Sequence, residues 1–125
     1  MVAVRDKETR DLLSKINAEI MEIESDPFYG APCVIVVLAD PDMPTWIDDG
    51  SLVMGNLLNA AHAIGLGSCW INRAREYYDT AEGKELLKKW GVPENYRGVG
   101  NCILGYPDEE PAPKARIEGR IIKIG

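Results

Sequence analysis

The stretch Ile64–Ala74 reads IGLGSCWINRA. Two glycines flank a leucine and a Ser-Cys-Trp follows. Three readings compete: a loop that cradles phosphate, a nucleophilic cysteine, or the end of a helix. A dinucleotide fingerprint needs a strand before its glycines and a helix after them. Here the preceding run has helical character, since Leu52, Val53, Met54, Leu57, Leu58, Ala60, Ala61, Ala63, Ile64 and Leu66 leave little polar face. The lysine and hydroxyl of a P-loop are also absent. The glycines therefore read as a helix stop, with Gly65 or Gly67 left-handed. A nucleophile at Cys69 would need a base and an orienting group. The one histidine, His62, lies about two turns earlier in the helix, so a small buried residue is the simpler reading of Cys69. Trp70 leads into a loop and is either core or a wall for a flat aromatic ligand. The backbone N–H groups of residues 71–73 are irregular and so available to a ligand.

Working outward, Asp48, Asp49 and Ser51 are N-cap candidates for a helix over 49–66. A helix apolar nearly all round is buried, and Gly55, Ala60 and Ala61 permit close approach by another helix. A chain of 125 residues has limited material to cover it, which predicts a partner subunit. Upstream, CVIVVLA (33–39) is a short, β-branched, continuous apolar run, the pattern of a strand buried on both faces. Val2–Val4 read as the end of a strand. Asp6 then caps a helix whose stripe is Leu12, Leu13, Ile16, Ile20 and Ile23, ended by Ser25-Asp26-Pro27. Downstream, a helix fits 80–90 with Thr80 as cap and Gly91-Val92-Pro93 as stop. VGNCILGY (99–106) reads as a strand, PDEEPAP as an extended connector, and the closing RIIKI as an edge or exchanged strand. Strands and helices in this order make a single α+β or α/β domain over 1–125.

Bulk properties narrow the function. The chain carries 46% hydrophobic and 27% charged residues, an ordinary globular balance. Net charge is −6, which argues against nucleic acid as the main partner. No apolar run approaches the ~20 residues of a membrane span, and the N-terminus lacks the apolar run of a signal peptide, so a cytoplasmic location is expected. Cys33, Cys69 and Cys102 are odd in number and widely spaced. They make no disulfide framework and no zinc or redox pair, and reduced, mostly buried thiols fit. An acidic knot, Asp108–Glu110, precedes a basic tail. Within that tail Lys114 and Arg116 stand two apart, on one face of an extended chain. The pair is either a solvated tail or a holder for phosphate.

Taken together, DPFYGAPCVIVV (26–37), DGSLVMGNLLNAAHAIGLGSCWINRA (49–74), EGKELLKKWGV (82–92), GVGNCILGY (98–106) and PAPKAR (111–116) resemble the flavin-dependent nitroreductase family, in a short bacterial form. The likeness runs over nearly the whole chain, and the 49–74 block is its specific part. It implies an α+β fold with a small, mainly antiparallel sheet flanked by helices, in an intertwined homodimer. It implies two FMN at the subunit interface, reduced by NAD(P)H, passing electrons to a small-molecule acceptor such as a nitroaromatic or a quinone. It implies no fixed catalytic side chain. By position, helix 49–66 resembles the dimer helix, and Trp70, Ile71, Asn72 and Arg73 resemble the segment whose backbone reaches the flavin near N5 and O4. Lys114 and Arg116 resemble the pair that neutralises the FMN phosphate, and RIIKI the arm laid along the partner.

One departure is large. The family's N-terminal helices and Arg-Ser-x-Arg phosphate motif have no counterpart, which predicts a chain truncated at its N-terminus relative to the family. Weakened FMN binding is the expected consequence. The rival reading is a dimeric nitroreductase-derived scaffold or binding protein without turnover.

Overall fold

The computed structural model describes residues 1–125. Four strands, β1 (Val2–Val4), β2 (Cys33–Ala39), β3 (Gly67–Ile71) and β4 (Arg97–Gly105), form one antiparallel sheet in the order β1-β2-β4-β3. Four helices complete it: α1 (Lys7–Met21), α2 (Trp46–Ala63), α3 (Ala74–Tyr78) and α4 (Ala81–Lys89). The fold is α+β, as the sequence implied.

Alternation along the central strands divides the core in two. Val34, Val36 and Leu38 of β2 and Ile103 of β4 face one way, where Leu13 of α1, Tyr77 and Tyr78 of α3 and Leu87 of α4 cover them. Val37 and Cys102 face the other way, against Met54 of α2 and the half-buried Trp70. The continuous apolar run 33–39 is a strand because helices cover both of its faces.

Local chemistry sets most boundaries. Asp6 accepts the Thr9 N–H at 2.8 Å and caps α1. The Thr80 hydroxyl does the same for Gly83 at 3.1 Å and caps α4. Gly65, at φ 77, turns the chain out of α2, whereas Gly67 already belongs to β3.

Several sequence expectations are corrected. Helix α2 begins at Trp46, with Thr45 as N-cap. Asp48 and Asp49 therefore sit in its first turn, where carboxylates complement the helix dipole. Its outer face is not covered within the chain: Leu52 is 69% exposed, and Ile64, just past the helix end, 74%. Helix α1 ends at Met21 through Glu22 in the left-handed conformation, before Ser25-Asp26-Pro27. Trp70 is part of β3 and does not yet belong to the loop. Cys69 is exposed, not buried. Helix α3 has no sequence counterpart in the reading above, because five residues show no helical period. Residues 106–125 form no strand with the rest of the chain, and Ile121, Ile122 and Ile124 are exposed.

Glycine at 83 is required by contact. A Cβ there would lie 2.2 Å from the Tyr77 carbonyl oxygen and 2.7 Å from Tyr78 Cα. Gly→Ala inside a helix ordinarily stabilises by ~1 kcal/mol; here the sign reverses. Gly83→Ala is expected to destabilise the fold by about 1–3 kcal/mol, read as a lowered melting temperature.

Candidate functional site

The site is built where β3 ends. Strand β3 pairs only with β4, Ile71 opposite Asn101, so its outer edge is open. Ile71 is 7% exposed and anchors the strand in the core. Its neighbour Trp70 points to the other face, over Gly100, where a Cβ would come 2.2 Å from the indole nitrogen. That nitrogen is buried without a hydrogen-bond partner. The tryptophan is thus a packing residue that fixes the height of β3 over the sheet.

Asn72 and Arg73 then carry the chain into α3. Their N–H groups donate to no other group of the chain. Arg73 has φ 79, a left-handed conformation that costs a non-glycine residue roughly 1–2 kcal/mol. The cause lies one residue on. Ala74 is buried and drives its backbone onto Gly98 of β4, where a Cβ would lie 2.5 Å from the Ala74 carbonyl. Only a sharp turn between Ile71 and Ala74 allows that contact. The Arg73 guanidinium pairs with Glu76 at 3.0 Å, both side chains being nearly half exposed. Partial burial pushes the Glu76 carboxyl up, but Arg73 outweighs it and holds the group below its ordinary value.

A second constellation holds α3. The guanidinium carbons of Arg75 and Arg97 lie 5.1 and 5.3 Å from the centre of the Trp46 ring. Arg97 Nε donates to Asp79 at 3.0 Å, and its Nη2 pairs with the other carboxylate oxygen. The start of α2, both ends of α3 and the start of β4 meet there.

Facing the Trp70–Arg73 segment is the loop between α1 and β2. Its organiser is Asp26. The carboxylate accepts from Arg10 at 2.6 Å, from the Phe28 N–H at 2.8 Å, from the Gly30 N–H at 2.7 Å and from the Ser14 hydroxyl. Arg10 is 9% exposed and also donates to the Ala31 carbonyl at 2.9 Å. Burial pushes the Asp26 carboxyl up, yet Ser14, Arg10 and the two N–H groups outweigh it and hold it far below the ordinary carboxylate range. The turn so fixed places Tyr29 (φ 50) and Gly30 (φ 71) left-handed in succession, leaving Tyr29 exposed.

Between these two walls lies a cavity of about 270 Å³, bounded by Met21, Ile23, Asp26, Tyr29 and the segment 69–73. A larger one, about 850 Å³, lies at the other end of β3, against Gly67, Gly105, Tyr106 and Pro107. The smaller is the candidate site, since it contains the free N–H groups. The structure thus brings Trp70, Ile71, Asn72 and Arg73 to one cavity. Lys114 and Arg116 do not border it; both are exposed and make no ion pair. The thiol reading finds no support, because the one polar contact of the Cys69 thiol is the Trp70 carbonyl at 3.8 Å. Burial pushes the Cys102 thiol up to about 11. Sequence reasoning overlooked Asp26. Its signal was the spacing Asp-Pro-x-x-Gly, which suits a side chain that accepts from the turn that follows it.

Comparison with known proteins follows this geometry. The model of the Nitroreductase family matches residues 1–106. A protein of Archaeoglobus fulgidus, provisionally named an NADH dehydrogenase/NAD(P)H nitroreductase, is 32% identical over 87% of this chain and 61% of its own. An FMN-dependent nitroreductase of Clostridium difficile is 33% identical, with a TM-score of 0.70, over 96% of this chain and 68% of its own. A nitroreductase of Bacteroides fragilis, solved with bound FMN, is 26% identical with a TM-score of 0.82, over 98% of this chain and 74% of its own. The chain spans between 44% and 61% of the length of the curated relatives it matches.

The Asp26 cluster gives a pH signature. Its carboxyl titrates lower in the folded chain than in the unfolded one, where its ordinary value is 3.8. The unfolded chain therefore binds the proton first, and stability is lost as pH falls from about 5 toward the folded value. Asp26→Asn should flatten that acid limb and cost about 1–2 kcal/mol at neutral pH, because the loop loses its charged acceptor while Arg10 keeps Asp11 at 3.1 Å and the Ala31 carbonyl. Urea unfolding at pH 7 and at pH 3 measures both.

Proposed function

The chain belongs to the nitroreductase family, and from that premise we propose that it serves in an FMN-dependent oxidoreductase. That enzyme takes electrons from NAD(P)H and passes them to nitroaromatic, quinone or similar acceptors. The observation that carries the reading is the pair of unpartnered N–H groups at Asn72 and Arg73, on the wall of the cavity below β3. A flavin ring gains negative charge on reduction. Fixed donors at its edge stabilise that charge as donors in an oxyanion hole do. FMN supplies the electron chemistry, and the chain supplies position and charge.

In this reading the N–H groups of Asn72 and Arg73 meet the ring edge. Trp70 and Ile71 hold the strand that presents them. Their placement by packing, in a turn that Gly98 dictates, keeps the donors oriented before the ligand arrives. Lys114 and Arg116, free of any carboxylate, neutralise the phosphate. The tail that carries them and the uncovered face of α2, with Leu52 and Ile64 exposed, belong to contacts with a second copy. A homodimer buries both. No helix is long and apolar enough to cross a membrane.

The visible spectrum of the purified protein tests the reading. Flavin bands that bleach on adding NADH or NADPH are expected, with bound FMN released on denaturation. A colourless protein that takes up no added FMN ends the enzymatic reading and leaves the scaffold. Replacing both Lys114 and Arg116 with alanine removes two charge-assisted contacts, each contributing roughly 1.5–3 kcal/mol. The Kd for FMN should rise by about two decades or more, by fluorescence titration. An unchanged Kd would place the phosphate elsewhere.

A further inference from the structure

Arg73 carries strain that the fold does not recover. Its φ of 79 is one that glycine adopts freely and arginine does not. Its one ion pair, with Glu76, joins two nearly half-exposed side chains, and such pairs contribute little. A glycine would make the same turn at lower cost. The side chain therefore answers to something outside the fold.

Its surroundings indicate what. Arg73 lines the 270 Å³ cavity. The other charged group on that wall, Asp26, is already satisfied by Arg10, Ser14 and the N–H groups of Phe28 and Gly30. The unspent electrostatic capacity of the cavity is thus positive. Its apolar and flat wall is made by Met21, Ile23, Ile71 and the ring of Tyr29. A ring carrying one anionic substituent matches both properties.

We propose that Arg73 is a specificity-determining residue and that the cavity binds small aromatic carboxylates, the carboxylate taking the place of Glu76 on the guanidinium. A planar guanidinium pairs with a carboxylate through two parallel hydrogen bonds, and the weakness of the Glu76 pair makes the exchange easy. The inference rests on the oxidoreductase reading in one respect: it names the acceptor class of that same site. The binding step itself needs no flavin.

The test is calorimetric titration of the chain with 4-nitrobenzoate, nitrobenzene and inorganic phosphate, each with and without added FMN. The wild type is expected to bind 4-nitrobenzoate about tenfold or more tighter than nitrobenzene. Arg73→Gly should lose that preference while its melting temperature holds or rises. Glu76→Gln should bind 4-nitrobenzoate more tightly, since the competing carboxylate is gone. Any of four results overturns the proposal: no binding by the wild type in either condition, equal binding by Arg73→Gly, a lowered melting temperature in Arg73→Gly, or displacement by phosphate. The last would make Arg73 a phosphate holder. FMN uptake is read from the visible spectrum of the same samples. Failure to take up FMN thus counts against the oxidoreductase reading and leaves the Arg73 result standing.

Discussion

The contact of Ala74 with Gly98 governs this structure. A strand that runs along a sheet edge ordinarily leaves it by a wide loop. Here β3 stops at Ile71, and within three residues the chain lies against β4, backbone on backbone. No side chain fits between, since a Cβ at Gly98 would sit 2.5 Å from the Ala74 carbonyl. The left-handed Arg73 and the unpartnered N–H groups of Asn72 and Arg73 both follow from this turn. So does the placement of α3, whose Tyr78 is buried against Trp90 with ring centroids 6.1 Å apart. One missing side chain on β4 thus shapes the site and a large part of the core together.

The opposite wall is made by electrostatics instead of sterics. Asp26 gathers a guanidinium, a hydroxyl and two backbone N–H groups. A carboxylate with so many donors stays ionised although it is partly desolvated. That charge in turn lets Arg10 be buried beneath the loop, over the Phe28 ring at 5.5 Å. The two walls are independent, since they share no hydrogen bond. Perturbing one therefore reshapes the cavity without removing the hydrogen bonds of the other, and their effects on a ligand couple through the cavity they share.

How much of this was legible depended on the range of the forces involved. Strand β2, the caps Asp6 and Thr80 and the stop at Gly65 follow from local pattern and local hydrogen bonding, and each appears where the residues put it. Helix α3 did not, because five residues are held by Gly98 and by the Trp46–Arg75–Arg97 contacts, all distant in sequence. The exposure of Cys69 escaped for a similar reason. Apolar neighbours in sequence suggest burial, but β3 is an edge strand, and alternation turns Cys69 to an uncovered part of the face that Ile71 anchors. The loop N–H groups were anticipated as available, and that was a statement about irregular backbone. The identity of the opposing wall needed the fold.

The closing segment shows the limit from the other side. RIIKI has the alternation of a strand, and alternation states only which residues share a face. It does not provide a ladder. A strand exists by hydrogen bonds to a neighbour, and the sheet offers two edges. The first is β1, three residues long. The second is β3, whose outer backbone is unpaired although Ile71 is packed in the core. The tail pairs with neither in its own chain. The isoleucines at 117, 121, 122 and 124 are thus exposed in the single chain, as is Leu52 on the outer face of α2. Unpaired edge and apolar tail are complementary chemistry on the same molecule, and a sheet edge left open in this way is what a second strand completes.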